Sequence, residues 1–328
     1  AIVVNKEFLP YRKGVFMLYI IVNPASKSGL GKTRFTLLKE KLNENFIVYE
    51  AFLTDKKHGA VRCTRQIMER IDKDGASDPV IAVLGGDGTM NEVMTTLNDR
   101  NDIAIAYLPT GSSNDLARAL HISADPDEFI QRYQRGQIRN VDLGQLEIPG
   151  SVPRSKRNFC VSCGIGLDAA VCKETNSSPV KDLLNKLHLG KLSYVVIAIK
   201  QILTARQTSC DITLADRTTH HFDRVLFVVT MIHPYEGGGV KMTPMADGCD
   251  GRFDIMVVAN LHPFRAFYLL PLAFLGKHTN SRFIHFLRSE SLTIHTDDKL
   301  IVHADGEYAG ELQTLSLTCI HGGVRFII

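Results

Sequence analysis

The chain lacks a long apolar run, an excess charge of either sign and a cysteine framework, and each absence removes a class of protein. No apolar stretch approaches the roughly 20 residues that a membrane-spanning helix needs. The longest, Ala266 to Leu275, carries Pro271 and stops at Gly276-Lys277, so an integral membrane protein is not expected. The 38 basic and 35 acidic side chains leave a net charge of +3, too balanced for a nucleic-acid binder by charge alone. Seven cysteines are odd in number and scattered, which favours a reducing, cytoplasmic setting. Cys160-Val161-Ser162-Cys163 has the spacing of half a zinc site. Its segment, Asn158 to Cys163, reads as a strand that would turn the two thiols to opposite faces, so both are assigned to the core. Residues 1–16 hold Lys6, Glu7, Arg12 and Lys13 among short apolar pairs, without the continuous apolar stretch of a secretory signal. They read as an extension ahead of Met17.

With 328 residues there is room for two domains, and the chain changes texture near Gln134. Before that point strands and helices alternate. The strands are Leu18 to Val22, Phe46 to Leu53, Val80 to Leu84 and Ile103 to Leu108; the helices are Phe35 to Leu42, Gly59 to Ile71, the segment after Gly88, and Ser113 to Leu120. Such alternation predicts a Rossmann-like α/β domain over 17–134, with a mainly parallel sheet and ligands at the carboxyl ends of its strands. From 135 to 328 the strands follow one another in hairpin fashion, interrupted by helical stretches near Val180 to Ala205 and Pro263 to Phe286. That predicts a mostly antiparallel β-sandwich.

The most informative stretch is Val83 to Val93, a buried strand running into Gly85, Gly86, Asp87 and Gly88 and then at once into a helix. Glycines here allow positive φ and close approach of a ligand to the backbone. Thr89 and Glu92 have the spacing of a capping box, with Asn91 between them, leaving free amides for a phosphate. Asp87 in an anion site makes sense if it holds a cation or a water. Two other loops point to the same edge. Asn23-Pro24-Ala25-Ser26-Lys27-Ser28-Gly29 follows the first strand, and Gly111-Ser112-Ser113-Asn114-Asp115 follows the fourth, with Ser112 and Asp115 again fitting a capping box. Ser26 to Thr33 misses a P-loop only by its first glycine.

In order and spacing these loops resemble the bacterial soluble diacylglycerol kinase family, which is related to eukaryotic diacylglycerol and sphingosine kinases. The resemblance runs from Met17 over almost the whole chain. Asp142, in Arg139-Asn140-Val141-Asp142-Leu143-Gly144, resembles the family's acidic residue on the strand entering the second domain. Asp305-Gly306-Glu307 resembles its DGE motif, a pair that NAD kinases, which share the Gly-Gly-Asp-Gly-Thr turn, do not carry.

The resemblance implies ATP as phosphoryl donor, bound in an interdomain cleft by Asn23, Ser26, Lys27, Thr54, Gly85, Gly86, Asp87, Gly88, Thr89, Asn91, Glu92, Gly111, Ser112, Asp115 and Asp142. It implies a magnesium ion organised by Asp87, with Glu307 as general base and Asp305 or Asp87 as rivals for that role. It also implies a structural magnesium held by the Asp250 side chain and by the backbone at Asp247 and Arg252. The acceptor would be a lipid hydroxyl, diacylglycerol foremost, with phosphatidylglycerol, a sphingoid base or an NAD kinase-like activity as alternatives. The lipid would be met by peripheral contact with a membrane surface, for which Lys181 to Tyr194 alternates basic and apolar residues. A homodimer stays open.

Overall fold

The structure is a computed structural model that describes residues 2–4, 17–55, 59–76, 78–98, 100–148, 155–177, 197, 200–202 and 204–328. The chain divides into two compact units, 1–141 with 322–328, and 142–321. The division falls after Val141, and the last seven residues return to the first unit.

In the first unit, β1 (Ile2–Val4) lies antiparallel on β3 (Tyr49–Leu53), and β3, β2 (Leu18–Val22), β4 (Val80–Gly85) and β5 (Ala104–Pro109) run parallel in that order. β2, β4 and β5 are buried along their whole length, as expected of parallel strands covered on both faces, and this is why they read as unbroken apolar runs. α1 (Ser26–Glu44), α2 (Gly59–Asp74), α3 (Asp87–Leu97), α4 (Asp115–Ala119) and α5 (Pro126–Arg135) complete the unit. The sequence reading missed α5, although Asp125 caps it, Pro126 opens it and Gly136 closes it with a left-handed φ of 61°. From β2 the chain moves outward to β3 and then crosses back to β4 on the other side. The boundary between β2 and β4 is therefore the topological switch point, the place at which open α/β sheets bind ligands.

The second unit begins within β6 (Ile138–Ile148), whose partner is β7 (Ser155–Phe159). Asn158 to Cys163 is not one strand. The chain bends at Cys160-Val161 before β8 (Ser162–Gly166), so the two cysteines do not share a strand; both are buried and free. After α6 (Leu167–Ser177) come β9 (Thr208–Leu214), β10 (Thr219–Met231), the two-residue strands β11 (Tyr235–Glu236) and β12 (Val240–Lys241), and β13 (Phe253–Ala259). α7 (Pro263–Phe274), β14 (Ile284–Ser289), β15 (Ser291–Ala304) and β16 (Glu307–Ile327) follow. The long strands β10 and β15 each pair with β9 along one half and β8 along the other; β10 shifts register on β9 between Phe222 and Val225, and β15 shifts on β16 between His295 and Leu300. This antiparallel, sandwich-like arrangement closes over Phe159, Ile165, Ile212, Phe253, Ile294 and Leu315. The helix expected over 263–286 ends at Phe274, because Gly276 takes a φ of 67° just past its C-cap; Ile284 to Ser289 is a strand. The expected helix over 180–205 and the membrane segment 181–194 fall largely or wholly outside the described residues.

Candidate active site

At the carboxyl ends of the first unit's parallel strands, three loops are joined to one another by hydrogen bonds. The Asn23 amide N–H donates to the carbonyl of Leu84 at 2.8 Å, and its side-chain Nδ2 donates to Thr89 Oγ1 at 3.0 Å. Ser26 Oγ and Thr110 Oγ1 share a bond of 2.7 Å, and the Thr110 amide donates to the Gly85 carbonyl at 2.7 Å. Thr54 joins through its amide, which donates to the Val22 carbonyl at 2.8 Å. Lys27, Ser28 and Gly29 have φ values of 43°, 57° and 96°, so the regular helix of α1 starts only after them. Two consecutive non-glycine residues in this region are strained, and such strain concentrates at functional sites.

The glycine turn works differently from the expectation. Gly85, Gly86 and Gly88 are not among the residues with positive φ, and Gly86, with φ −102° and ψ −174°, is the extended N-cap of α3. Glycine is required there by close approach. A Cβ on Gly85 would lie 2.6 Å from Thr89 Cβ, and one on Gly86 would lie 2.9 Å from the Cα of Gly111. Neither capping box forms. α3 starts two residues before Thr89, whose hydroxyl meets Asn23, while the Glu92 carboxylate accepts the Ala60 amide at the start of α2 at 3.1 Å. At α4 the N-cap is Asn114, in the left-handed region, which bonds Gly111 through both side-chain atoms; Ser112 is exposed. Asp87 Oδ2 accepts the Asp115 amide at 3.1 Å, and Asp115 Oδ1 accepts from Arg118 at 2.6 Å. Asn91 is buried on α3. The first unit thus gathers Asn23, Ser26, Thr54, Gly85 to Thr89, Gly111 and Asp115 at one edge, with Lys27 exposed on the first loop, and turns Glu92 toward α2. Amide-lined glycine loops suit a phosphate, and the carboxylates of Asp87 and Asp115 are hard oxygen donors suited to the magnesium that accompanies it.

In the second unit Asp305 and Gly306 form the two-residue turn between β15 and β16, with φ values of 50° and 78°. Asp-Gly is the natural sequence for such a turn. The Asp305 carboxylate faces inward and accepts the amides of Cys160, Val161 and Ser162 at 2.7, 2.7 and 3.0 Å. It is an anchor for the turn, which leaves Glu307, partly exposed on the same turn, as the acid free of such a triple amide clamp.

Beneath the turn lies a network that the sequence reading missed. His303 is fully buried; its Nε2 lies 2.7 Å from Asp168 Oδ2 and 3.4 Å from Glu236 Oε1, and its Nδ1 accepts the Gly306 amide at 3.0 Å. Ser162 Oγ donates to Glu236. Burial pulls the His303 pKa down, but the carboxylates of Asp168, Glu236 and Asp305 together outweigh it and push it up to about 9. The Gly306 bond opposes this, since a second proton on the ring removes the lone pair that accepts it. Cys172 lies close to Asp168 and His303, yet both imidazole nitrogens are engaged, so this is a hydrogen-bonded network rather than a metal site. Asp168 and Glu236 also line one part of an apolar cavity of about 210 Å³, walled by Leu226, Met256, Val258, Leu269 and Phe274.

Two expected ligand positions carry protein partners in the second unit. Asp142 is 1% exposed, and its oxygens accept from the Gly251 amide at 2.7 Å and meet His321 Nδ1 at 2.9 Å, so the 248–251 turn and His321 hold its carboxylate. Asp250 receives the Arg252 amide and is ion-paired with Arg288, while Asp247 accepts the Cys249 amide. A guanidinium on the one side-chain ligand does not fit a magnesium site.

A glycine loop at the switch point of an α/β unit, joined in one chain to an antiparallel unit that carries an acidic turn, is an arrangement suited to phosphoryl transfer from a nucleotide. Residues 17–146 match the diacylglycerol kinase catalytic domain, and residues 161–327 match the YegS C-terminal NAD kinase beta sandwich-like domain. The chain belongs to this diacylglycerol kinase-like family of kinases. It is 30% identical over 89% of its length to 93% of a Bacillus subtilis protein named "Putative lipid kinase YtlR", and 27% identical to a Bacillus subtilis diacylglycerol kinase, covering 89% and 90% of the two chains. A crystal structure of a diacylglycerol kinase from Bacillus anthracis str. Sterne shares the fold, with a TM-score of 0.68 at 20% identity over 97% of this chain and 98% of that one.

Proposed function

We propose that the protein transfers the γ-phosphoryl group of ATP to the hydroxyl of a lipid, with diacylglycerol as acceptor and phosphatidic acid as product. The observation that carries this reading, within a family of kinases, is the apolar cavity of the second unit, whose polar residues Asp168 and Glu236 connect through His303 to the turn bearing Glu307. A hydrocarbon chain is the ligand such walls accommodate, and NAD is not.

Phosphoryl transfer demands charge neutralisation and positioning more than covalent chemistry. The turn from Gly85 to Thr89, flanked by the loops after β2 and β5, would hold the phosphates, with Asp87 and Asp115 holding the accompanying magnesium, which neutralises triphosphate charge when bound. Glu307 would take the proton from the acceptor hydroxyl, and Asp305 would fix the turn that presents it. Glu307→Gln keeps the size and removes the basicity. Turnover should fall by roughly 10²–10⁴-fold, the usual contribution of a positioned base, with ATP affinity nearly unchanged. Turnover within about threefold of the parent would place the base elsewhere, Asp87 being next in line.

A further inference from the structure

α7 is apolar on both of its faces, which is the pattern of a buried helix, yet it lies at the surface. One face, with Ala266, Leu269, Leu270 and Ala273, lines the apolar cavity. On the other, Phe264, Tyr268, Pro271 and Leu275 recur at the spacing of a single helical stripe. Phe264 is 70%, Tyr268 72% and Leu275 62% exposed, and the neighbouring Phe274 is 47% exposed. Water thus touches three large apolar or aromatic side chains along one stripe, an arrangement that marks a contact surface.

The segment that carries this stripe has charge of one sign. From Ile255 to Ser289 there is no Asp or Glu, whereas Arg265, Lys277 and Arg282 fall in the same span, besides Arg288, which is ion-paired with Asp250. The guanidiniums of Arg265 and Arg282 lie 5.1 and 4.9 Å from the centre of the Phe283 ring. With Lys277 and Tyr268, Arg265 and Phe283 line a groove of about 500 Å³ beside the helix. Apolar insertion flanked by cations complements an anionic bilayer surface, where headgroup phosphates meet acyl chains.

We propose that α7 is the membrane-docking element of this protein, inserting Phe264, Tyr268 and Leu275 into the interface of an anionic lipid bilayer while its opposite face walls the cavity. The inference rests on the lipid kinase reading for its purpose, since docking here sets the cavity directly behind the inserted helix. A lipid leaving the bilayer would then have to pass only the thickness of one helix.

The test is co-sedimentation of the full chain, without nucleotide, with vesicles of phosphatidylcholine alone or of phosphatidylcholine with phosphatidylglycerol. Binding should be about tenfold or more tighter to the anionic vesicles and should weaken with salt. The triple variant Phe264→Ser, Tyr268→Ser, Leu275→Ser should lose about tenfold or more of that binding. These side chains are exposed, so its melting temperature should match the parent's, and phosphorylation of a water-soluble short-chain acceptor should persist. The triple variant Arg265→Gln, Lys277→Gln, Arg282→Gln should lose the preference for anionic vesicles. Unchanged vesicle binding by the first variant overturns the proposal. So does a parent that self-associates in sedimentation velocity and becomes monomeric in that variant with vesicle binding intact, since the face would then join two copies. Vesicle binding without any lipid phosphorylation would sink the kinase reading and leave docking standing; phosphorylation of the soluble acceptor without vesicle binding would do the reverse.

Discussion

Asp305 accepts three backbone amides, which makes it the anchor of the turn that carries Glu307, two residues on. The same consideration bears on His303, whose burial between Asp168 and Glu236 makes it the counter-charge for a dry pair of carboxylates. Its folded pKa of about 9 lies above the ordinary 6.5, so the stability it contributes is fully present below 6.5 and is lost as pH rises through 9. His303→Ala should cost about 3–5 kcal/mol, the penalty for breaking a buried pair, and should flatten the decline in stability between those pH values. Urea melts at several pH values read both effects; an unchanged alkaline slope in the variant would show that another group sets it. Asp250 is the opposite case, a carboxylate with a guanidinium where a metal was expected. Asp250→Ala should lower stability by about 1 kcal/mol, while chelator leaves the parent's melting temperature where it was. A drop on adding chelator would return the magnesium to this site. Asp254, raised to about 6 chiefly by burial and then by Asp247, binds a proton more tightly when folded, so stability should fall as pH rises from about 4 through 6. Asp254→Asn should abolish that fall in the same melts.

Among the elements, the loops after β2, β4 and β5 were legible because their chemistry is contiguous in sequence: glycines, an acid and small hydroxyl residues directly after apolar runs. What was misread is how the glycines act. Gly86 and Gly111 do not supply positive φ but let two backbones meet, which no single-loop pattern reveals. Gly86→Ala and Gly111→Ala should each push the two loops apart and weaken ATP binding, with a loss of stability of about 1–3 kcal/mol. Isothermal titration with a nonhydrolysable ATP analogue measures it, and normal affinity in both variants would remove the close approach from the account. Capping boxes failed for a related reason. Thr89 and Glu92 have the spacing, but Gly86 ends its extended conformation early enough for α3 to begin at Asp87, which frees Thr89 for Asn23 and Glu92 for α2. The Asp168, Glu236 and His303 network was invisible because its members sit on α6, β11 and β15, and none bears a motif of its own beyond the nearness of His303 to the turn.

Across the whole molecule, alternation of texture foretold an α/β unit followed by an antiparallel one, and both are present. The return of residues 322–328 to the first unit was not foreseen, because Arg325 and Phe326 pair parallel with β5 from the far end of the chain, and a one-dimensional reading has no signal for such a return. No helix among the described residues is long and apolar enough to cross a membrane. The two units divide the chemistry between a site built from amides and carboxylates and a cavity built from hydrocarbon, and the account stands on their use in one reaction. The most direct measurement offers purified protein ATP and magnesium with diacylglycerol in mixed micelles, and in parallel with NAD, and identifies the products by mass spectrometry. The account predicts phosphatidic acid from the first mixture, lost in Asp87→Asn at an unchanged melting temperature, and no phosphorylated dinucleotide from the second. NADP formed in the second mixture with no phospholipid product in the first would contradict it.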